Sequence, residues 1–375
     1  MAAEAAAAPA LPTEQRRLAW ALSFGVGLLS LSQEILWVRV VALSQSGRPQ
    51  AFAQVLAVFL LGIALGALLG RRACARPGPL WPAAGVLLLR AAAFDLAALW
   101  LCGQPFIGAL APSAYLPVAL CLAGGGALLK GLLFPVVHHL GSTPTAAGVG
   151  RSVSRVYLAN VAGSTMGPLL VGFWLLDHAP LERAFALVAL GTALLGGLAL
   201  LRSGRVATAA PLRLAAVLLP LLAVVGVAWP PAVVLQIVGG GTPERVRHLV
   251  QNKHGVLHVL AEDTPGSGDI TFGGNAYDGR IGVDMTVNAN GLDRVYLLAA
   301  LHPRPRRVLV IGLSTGAWVT AVLGMPGVEQ LDVVEINPGY LSLIARYPAV
   351  APLLDDKRLR IHIDDGRRWL RARLA

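Results

Sequence analysis

The chain has 375 residues, 55% of them hydrophobic and only 14% charged, with a net charge of +11 and a mean hydropathy of +0.65. Soluble domains carry about a quarter charged residues, so this composition excludes a wholly soluble globular protein. The positive excess is arginine between apolar runs. No basic stretch with interleaved aromatics is present, which excludes a nucleic-acid footprint and leaves loop charge that sets membrane topology.

Residues 1–17 are rich in Ala and Pro in their first part and predict a disordered N-terminus. The apolar run after Arg16 and Arg17 has no small-residue cleavage site and reads as an uncleaved first span. Stretches of about 20 apolar residues, enough to cross a bilayer, fall near 18–43, 51–70, 80–102, 115–139, 153–176, 180–201 and 212–229. Residues 18–229 therefore predict a polytopic α-helical bundle, multi-pass in the cell (inner) membrane, with the lipid bilayer as its partner. The fourth span is weakened by Pro112, Pro117 and the Gly124–Gly126 triplet, and the seventh is short and contains Pro220. Arg16, Arg17, Arg71, Arg72, Arg76, Arg151, Arg155, Arg202, Arg205 and Arg213 fall on one side if the N-terminus is cytoplasmic. Seven spans would then carry the C-terminal part outside. The expectation is that a weak span is miscounted and the soluble part is cytoplasmic.

Gly62, Gly66 and Gly70, and likewise Gly163 and Gly167, are spaced for close helix packing. Glu34, Arg39, Arg90, Asp95 and Lys130 lie inside spans. Structural pairing, with Arg39 and Arg90 snorkelling, is favoured there over a substrate pathway. Cys74, Cys102 and Cys121 form neither a disulfide framework nor a metal motif.

After Pro230 and Pro231 the chain turns polar. Residues 230–247 read as a linker and 248–290 as a small β-lobe, with strand over 248–260 and a hairpin turn at Asp278-Gly279 before IGVDMTV. His248, His254 and His258 read as exposed strand residues. No acid or thiol completes a ligand set, so no metal is expected.

Residues 291–375 alternate strand and helix. A helical pattern covers 290–302 and is stopped by HPRPRR. The strand 307–311 enters a glycine turn at 312–316, and a helix begins near Gly316. The strand 331–336 follows, then Asn337 as N-cap and Pro338 at the first helical position. The third strand is 358–363, with Asp364, Asp365 and Gly366 at its exit. A tight glycine turn followed by an acid at the next strand tip is how a doubly wound sheet builds a nucleoside pocket. Glu335 can accept both ribose hydroxyls, and Asp365 can accept an exocyclic adenine amine. The predicted nucleoside-binding set is Gly312, Leu313, Ser314, Gly316, Glu335, Ile336 and Asp365.

The segments HPRPRRVLVIGLSTG, VEQLDVVEINP and IDDGRRWL resemble the polyamine aminopropyltransferase (spermidine synthase) family, in particular its bacterial membrane-fused members. SLSQEILWVRVVAL and SRVYLANVAGSTMGPLLVGFWLL are similar to the transmembrane segments joined to such domains. The resemblance implies a Rossmann-like fold of the S-adenosylmethionine-dependent methyltransferase type. It also implies decarboxylated S-adenosylmethionine as co-substrate and a diamine as acceptor. Tyr296 matches a tyrosine lining the amine site, and Thr315 stands where the family has an amine-binding aspartate. Leu297 and Leu298 replace the His and Glu that follow the tyrosine. The catalytic aspartate is expected beyond a fourth strand, past Ala375, so the domain is expected to be incomplete. Three readings stay open. One is a membrane-anchored aminopropyltransferase, truncated or inactive as it stands. Another is an S-adenosylmethionine-dependent methyltransferase-like or ligand-sensing protein. The last is a non-enzymatic transporter-like or scaffold membrane protein. A homo-oligomer is compatible with the sequence.

Overall fold

The computed structural model describes residues 13–75, 79–142, 149–202 and 210–374. It divides into two compact units, Met1–Ile237 and Val238–Ala375.

The first unit is helical. Its long helices are Thr13–Ser44 (α1), Gln50–Cys74 (α2), Leu80–Cys102 (α3), Pro112–Gly131 (α4), Leu133–Gly141 (α5), Val149–Leu169 (α6), Leu181–Leu201 (α7) and Ala210–Ala228 (α8). Helix α6 continues through a wider π turn, Leu170–Leu175, just after Pro168, whose missing N–H loosens the ladder there. Helices α4 and α5 act as one apolar stretch, Pro112–Gly141, so among the described residues seven candidate spans are long and apolar enough to cross a membrane. Both weak spans are helical at that length. Residues 13–17, expected to be disordered, belong to helix α1; residues 1–12, Arg76 and Arg205 lie outside the described residues.

The spaced glycines sit where helices touch. A Cβ on Gly66 would stand 2.3 Å from the Leu128 carbonyl oxygen, and one on Gly163 would stand 2.0 Å from that of Phe24. Helices α2 and α4, and α1 and α6, therefore meet backbone to backbone, as small residues permit in lipid. Two of the charges inside the bundle form an ion pair. Lys130 Nζ lies 2.9 Å from Asp95 Oδ2, both residues being almost fully buried. Gln33 Nε2 donates to Asp95 Oδ1 at 2.5 Å. Glu34 is buried, Arg39 half-buried and Arg90 exposed.

The second unit holds two sheets. Val246–Asn252 (β1), Gly255–Leu260 (β2), Ile270–Gly273 (β3) and Ala276–Arg280 (β4) form an antiparallel meander. The predicted strand 248–260 is thus a hairpin, turning at Lys253-His254. Part of the expected linker is ordered as well: Pro243–Arg245 forms a helical turn, and β1 starts at Val246. The second sheet is parallel. Arg307–Ile311 (β5), Gln330–Glu335 (β6) and Leu359–Ile363 (β7) lie side by side in that order. The helices Ala317–Leu323 (α10) and Gly339–Ile344 (α11) follow β5 and β6. Asp293–Leu301 (α9) precedes β5 and Gly366–Leu374 (α12) follows β7. Leu257 and Val259 of the meander share one core with Leu331 and Val333 of the parallel sheet, and burying those faces holds the two sheets together. Asn337 Oδ1 accepts from Asn252 Nδ2 at 2.7 Å, and Tyr347 Oη donates to Asp269 Oδ2 at 3.1 Å, which ties the sheets further.

Two expectations for the β-lobe fail. The β3–β4 hairpin turns at Gly274-Asn275, both with positive φ, and not at Asp278-Gly279. IGVDMTV forms turns and bends, not strand. His258 is also not exposed. It is 1% accessible and stacks on Phe272 with ring centroids 4.8 Å apart. Burial pushes its pKa down to about 4, so it is a neutral packing residue. Among the described residues no cluster of His, Cys, Asp or Glu could hold a metal ion.

Candidate functional site

The parallel strands end level with one another. Ile311 pairs with Val334, and Glu335 pairs with Ile363, so the exits of β5, β6 and β7 form a row. Apolar runs with β-branched residues set these strands, and the residues just past each run set the tips.

At the first tip the chain bends through Gly312, Leu313, Ser314, Thr315 and Gly316. Gly312 has φ 97° and Gly316 has φ 78°, and even Ser314 sits at φ 47°. A Cβ on Gly312 would meet nothing within 4 Å, so the glycine serves conformation there and leaves open space beside the backbone. Leu313 is buried and anchors the bend in the core.

At the second tip Glu335 is 4% exposed. Its Oε2 accepts from the Leu313 N–H and its Oε1 from the Asn337 N–H, both at 2.7 Å. One carboxylate thus brackets the bend of β5 and the exit of β6. A carboxylate has about four acceptor positions, so these two bonds leave acceptor capacity on both oxygens. Ile336, next along, is 51% exposed. At the third tip Asp365 Oδ1 accepts from the Arg368 N–H at 2.9 Å and caps α12, while the side chain stays exposed. Asp364 pairs with Arg368 at 2.5 Å.

Beside the bend, on the β5 side, lies a cleft of about 710 Å³. Its walls are Gly312–Thr315, the end of β5, Tyr277–Gly279 of β4, Asn290, Arg294 and Trp318. Of the predicted residues, Gly312, Leu313, Ser314 and Thr315 line this cleft. Glu335, Ile336 and Asp365 belong to the neighbouring tips. Tyr296 is not among the residues lining the cleft; α9 buries Val295 and leaves Tyr296 44% exposed.

The cleft also holds residues that the sequence reading assigned elsewhere. Tyr277 pairs with Phe272 and Gly279 with Thr271, so Asp278 is the extra residue of a β-bulge. Bulges re-aim a side chain. Here the carboxylate reaches Tyr340, whose hydroxyl donates to Asp278 Oδ2. Burial raises the Asp278 pKa above the ordinary carboxylate value, and the Tyr340 hydroxyl works against that rise. Ser314 Oγ donates to the Asp278 carbonyl at 2.5 Å, which ties the bend to the bulge. Asn290 is a second knot. Its side chain accepts from the Arg280 N–H at 2.8 Å and donates to the carbonyls of Arg280 and Gly282 at 2.7 and 2.8 Å. Its carbonyl receives Trp318 Nε1–H at 2.9 Å. The signals for these residues were present but ambiguous: Asp-Gly fits a bulge as well as a hairpin turn.

Comparison with known proteins bears on part of this unit. No family model matches the chain. A polyamine aminopropyltransferase of Agathobacter rectalis is 37% identical over 75 residues, which is 20% of this chain and 26% of that protein. One from Streptococcus pneumoniae is 37% identical over 78 residues, again 20% of this chain and 27% of the other. Over that stretch the chain is a relative of the polyamine aminopropyltransferases. It spans only about a quarter of the length of these relatives. The spermidine synthase of Thermotoga maritima, a solved structure, aligns with a TM-score of 0.28 and 23% identity over 34% of this chain and 44% of that one. A likeness that slight decides nothing about the site.

Proposed function

We propose that the α/β unit binds an S-adenosyl sulfonium nucleoside and serves alkyl transfer from it, as an aminopropyltransferase-like unit on a membrane-spanning bundle. The observation that carries this is the row of strand tips. An open glycine bend, Glu335 and Asp365 follow one another at the exits of β5, β6 and β7. Adjacent strands are about 4.8 Å apart, so the row matches a bend for the backbone of the ligand, an acceptor for ribose hydroxyls and an acceptor for an adenine amine. The aminopropyltransferase relatives supply the reaction type. An amine lone pair attacks the carbon beside the sulfonium, the C–S bond breaks with its electron pair kept by sulfur, and the amine releases a proton. Apart from the relatives' stretch, the seven apolar helices support membrane anchoring.

The reading is tested by titrating the detergent-purified full chain with S-adenosylmethionine, its decarboxylated form and methylthioadenosine in a calorimeter. Binding by at least one is expected. It should weaken about tenfold or more in Asp365→Ala, whose exposed side chain can be removed without disturbing the core, and further in Glu335→Gln. No heat with any of the three, or full binding by both variants, would sink the reading.

A further inference from the structure

We infer that the cleft beside the glycine bend takes the amino-acid tail of an S-adenosyl ligand that still carries its carboxylate, and that Arg294 is the residue that selects it. The inference rests on the nucleoside reading above and narrows it. If the adenosine follows the tips from β5 toward β7, its 5′ substituent leaves on the other side of the bend, where the cleft lies. Among the described residues lining that cleft, Arg294 is the single cation and Asp278 the single carboxylate. A tail with one ammonium and one carboxylate matches that pair charge for charge. A tail with an ammonium alone would meet Asp278 favourably and Arg294 unfavourably.

Arg294 is not an ordinary surface arginine in its local geometry. Gly291 sits at φ 61°, and a Cβ there would lie 2.4 Å from Arg294 Nη2 and 2.7 Å from Nε. The guanidinium occupies the space that this missing side chain leaves, folded back over the loop that begins α9. The loop itself is fixed. The Arg294 N–H donates to the Gly291 carbonyl at 3.1 Å, and Asn288 Oδ1 accepts from the Leu292 N–H at 2.6 Å. A guanidinium is a planar fork suited to a carboxylate, and here it lies against Gly291 at the rim of the cleft. Asp278 is held by the bulge and Tyr340. Trp318, its indole N–H held by Asn290, and Tyr277 give the cleft two aromatic walls, which suit a sulfonium cation. A donor of aminopropyl groups has lost this carboxylate, so the inference keeps the nucleoside site and the alkyl transfer proposed above but replaces the aminopropyl donor with one that differs from it by one charged group.

The test compares four probes on the full chain in detergent: S-adenosylmethionine, decarboxylated S-adenosylmethionine, S-adenosylhomocysteine and methylthioadenosine. S-adenosylmethionine should bind at least about tenfold more tightly than its decarboxylated form, and S-adenosylhomocysteine at least about tenfold more tightly than methylthioadenosine. Arg294→Gln should erase both differences and leave methylthioadenosine binding unchanged. Decarboxylated S-adenosylmethionine binding as tightly as the carboxylated form, or Arg294→Gln weakening every probe equally, would overturn the inference while the nucleoside reading stands. Binding by none of the four would take down both.

Discussion

Glycine performs opposite tasks in the two units. In the bundle Gly66 and Gly163 have ordinary helical backbones, and a side chain there would collide with the backbone of the next helix. In the α/β unit Gly312 has open space where a side chain would go, but a backbone angle that few side chains tolerate. In one place the residue lets two helices touch, and in the other it lets one chain bend. The lesson is that a glycine pattern has no meaning until its neighbours are known.

The largest effect expected from this contrast is in the bundle. Gly163→Val should prevent α1 and α6 from closing, because the nearest obstacle is the Phe24 carbonyl oxygen at 2.0 Å from the new Cβ. The full chain should then fail to elute from detergent as a single folded species. Gly172→Ala, where a Cβ meets nothing within 4 Å, should behave as the parent does. A well-folded Gly163→Val protein would break the comparison at its stronger end.

Next in size is the buried ion pair. Lys130→Met leaves Asp95 charged and buried without its cation, at a cost of about 3–5 kcal/mol. A thermal melt of the full chain in detergent should show the loss, and Asp95→Leu combined with Lys130→Met should recover most of it. If the single variant melts like the parent, the pair does not hold α3 against α4.

The smallest effect is at the bend. Gly312→Ala should cost about 1–2 kcal/mol through strained backbone alone, with no clash. Faster amide exchange should be confined to β5 and the bend. Exchange that spreads into α1 or α6 would show that the difference between the two kinds of glycine had been misjudged.

Much of the architecture could be read from the chain. The seven apolar stretches and the three parallel strands were found to within a few residues, since each is a run of apolar residues with clear punctuation. Asp278 was not. Asp-Gly between strands announces a turn, yet the turn is made by Gly274-Asn275 earlier in the chain. What decides its role is Tyr340, 62 positions away, and no local pattern carries that. Glu335 was legible as an acid at a strand tip. Its grip on the Leu313 amide was not, because a bond between two strand exits exists only once the sheet has formed. His258 failed for a similar reason, since alternation along β2 marks two faces without saying that both are covered.

One extra residue in β4 has a geometric consequence of its own. Side chains along a strand alternate in direction, so deleting a single position between Ala276 and Gly279 would restore even pairing and rotate whatever acid remained toward the opposite surface of the meander. The length of this short hairpin therefore works as a selector. With Tyr277 present or absent, it decides whether the Asp278 carboxylate faces the bend.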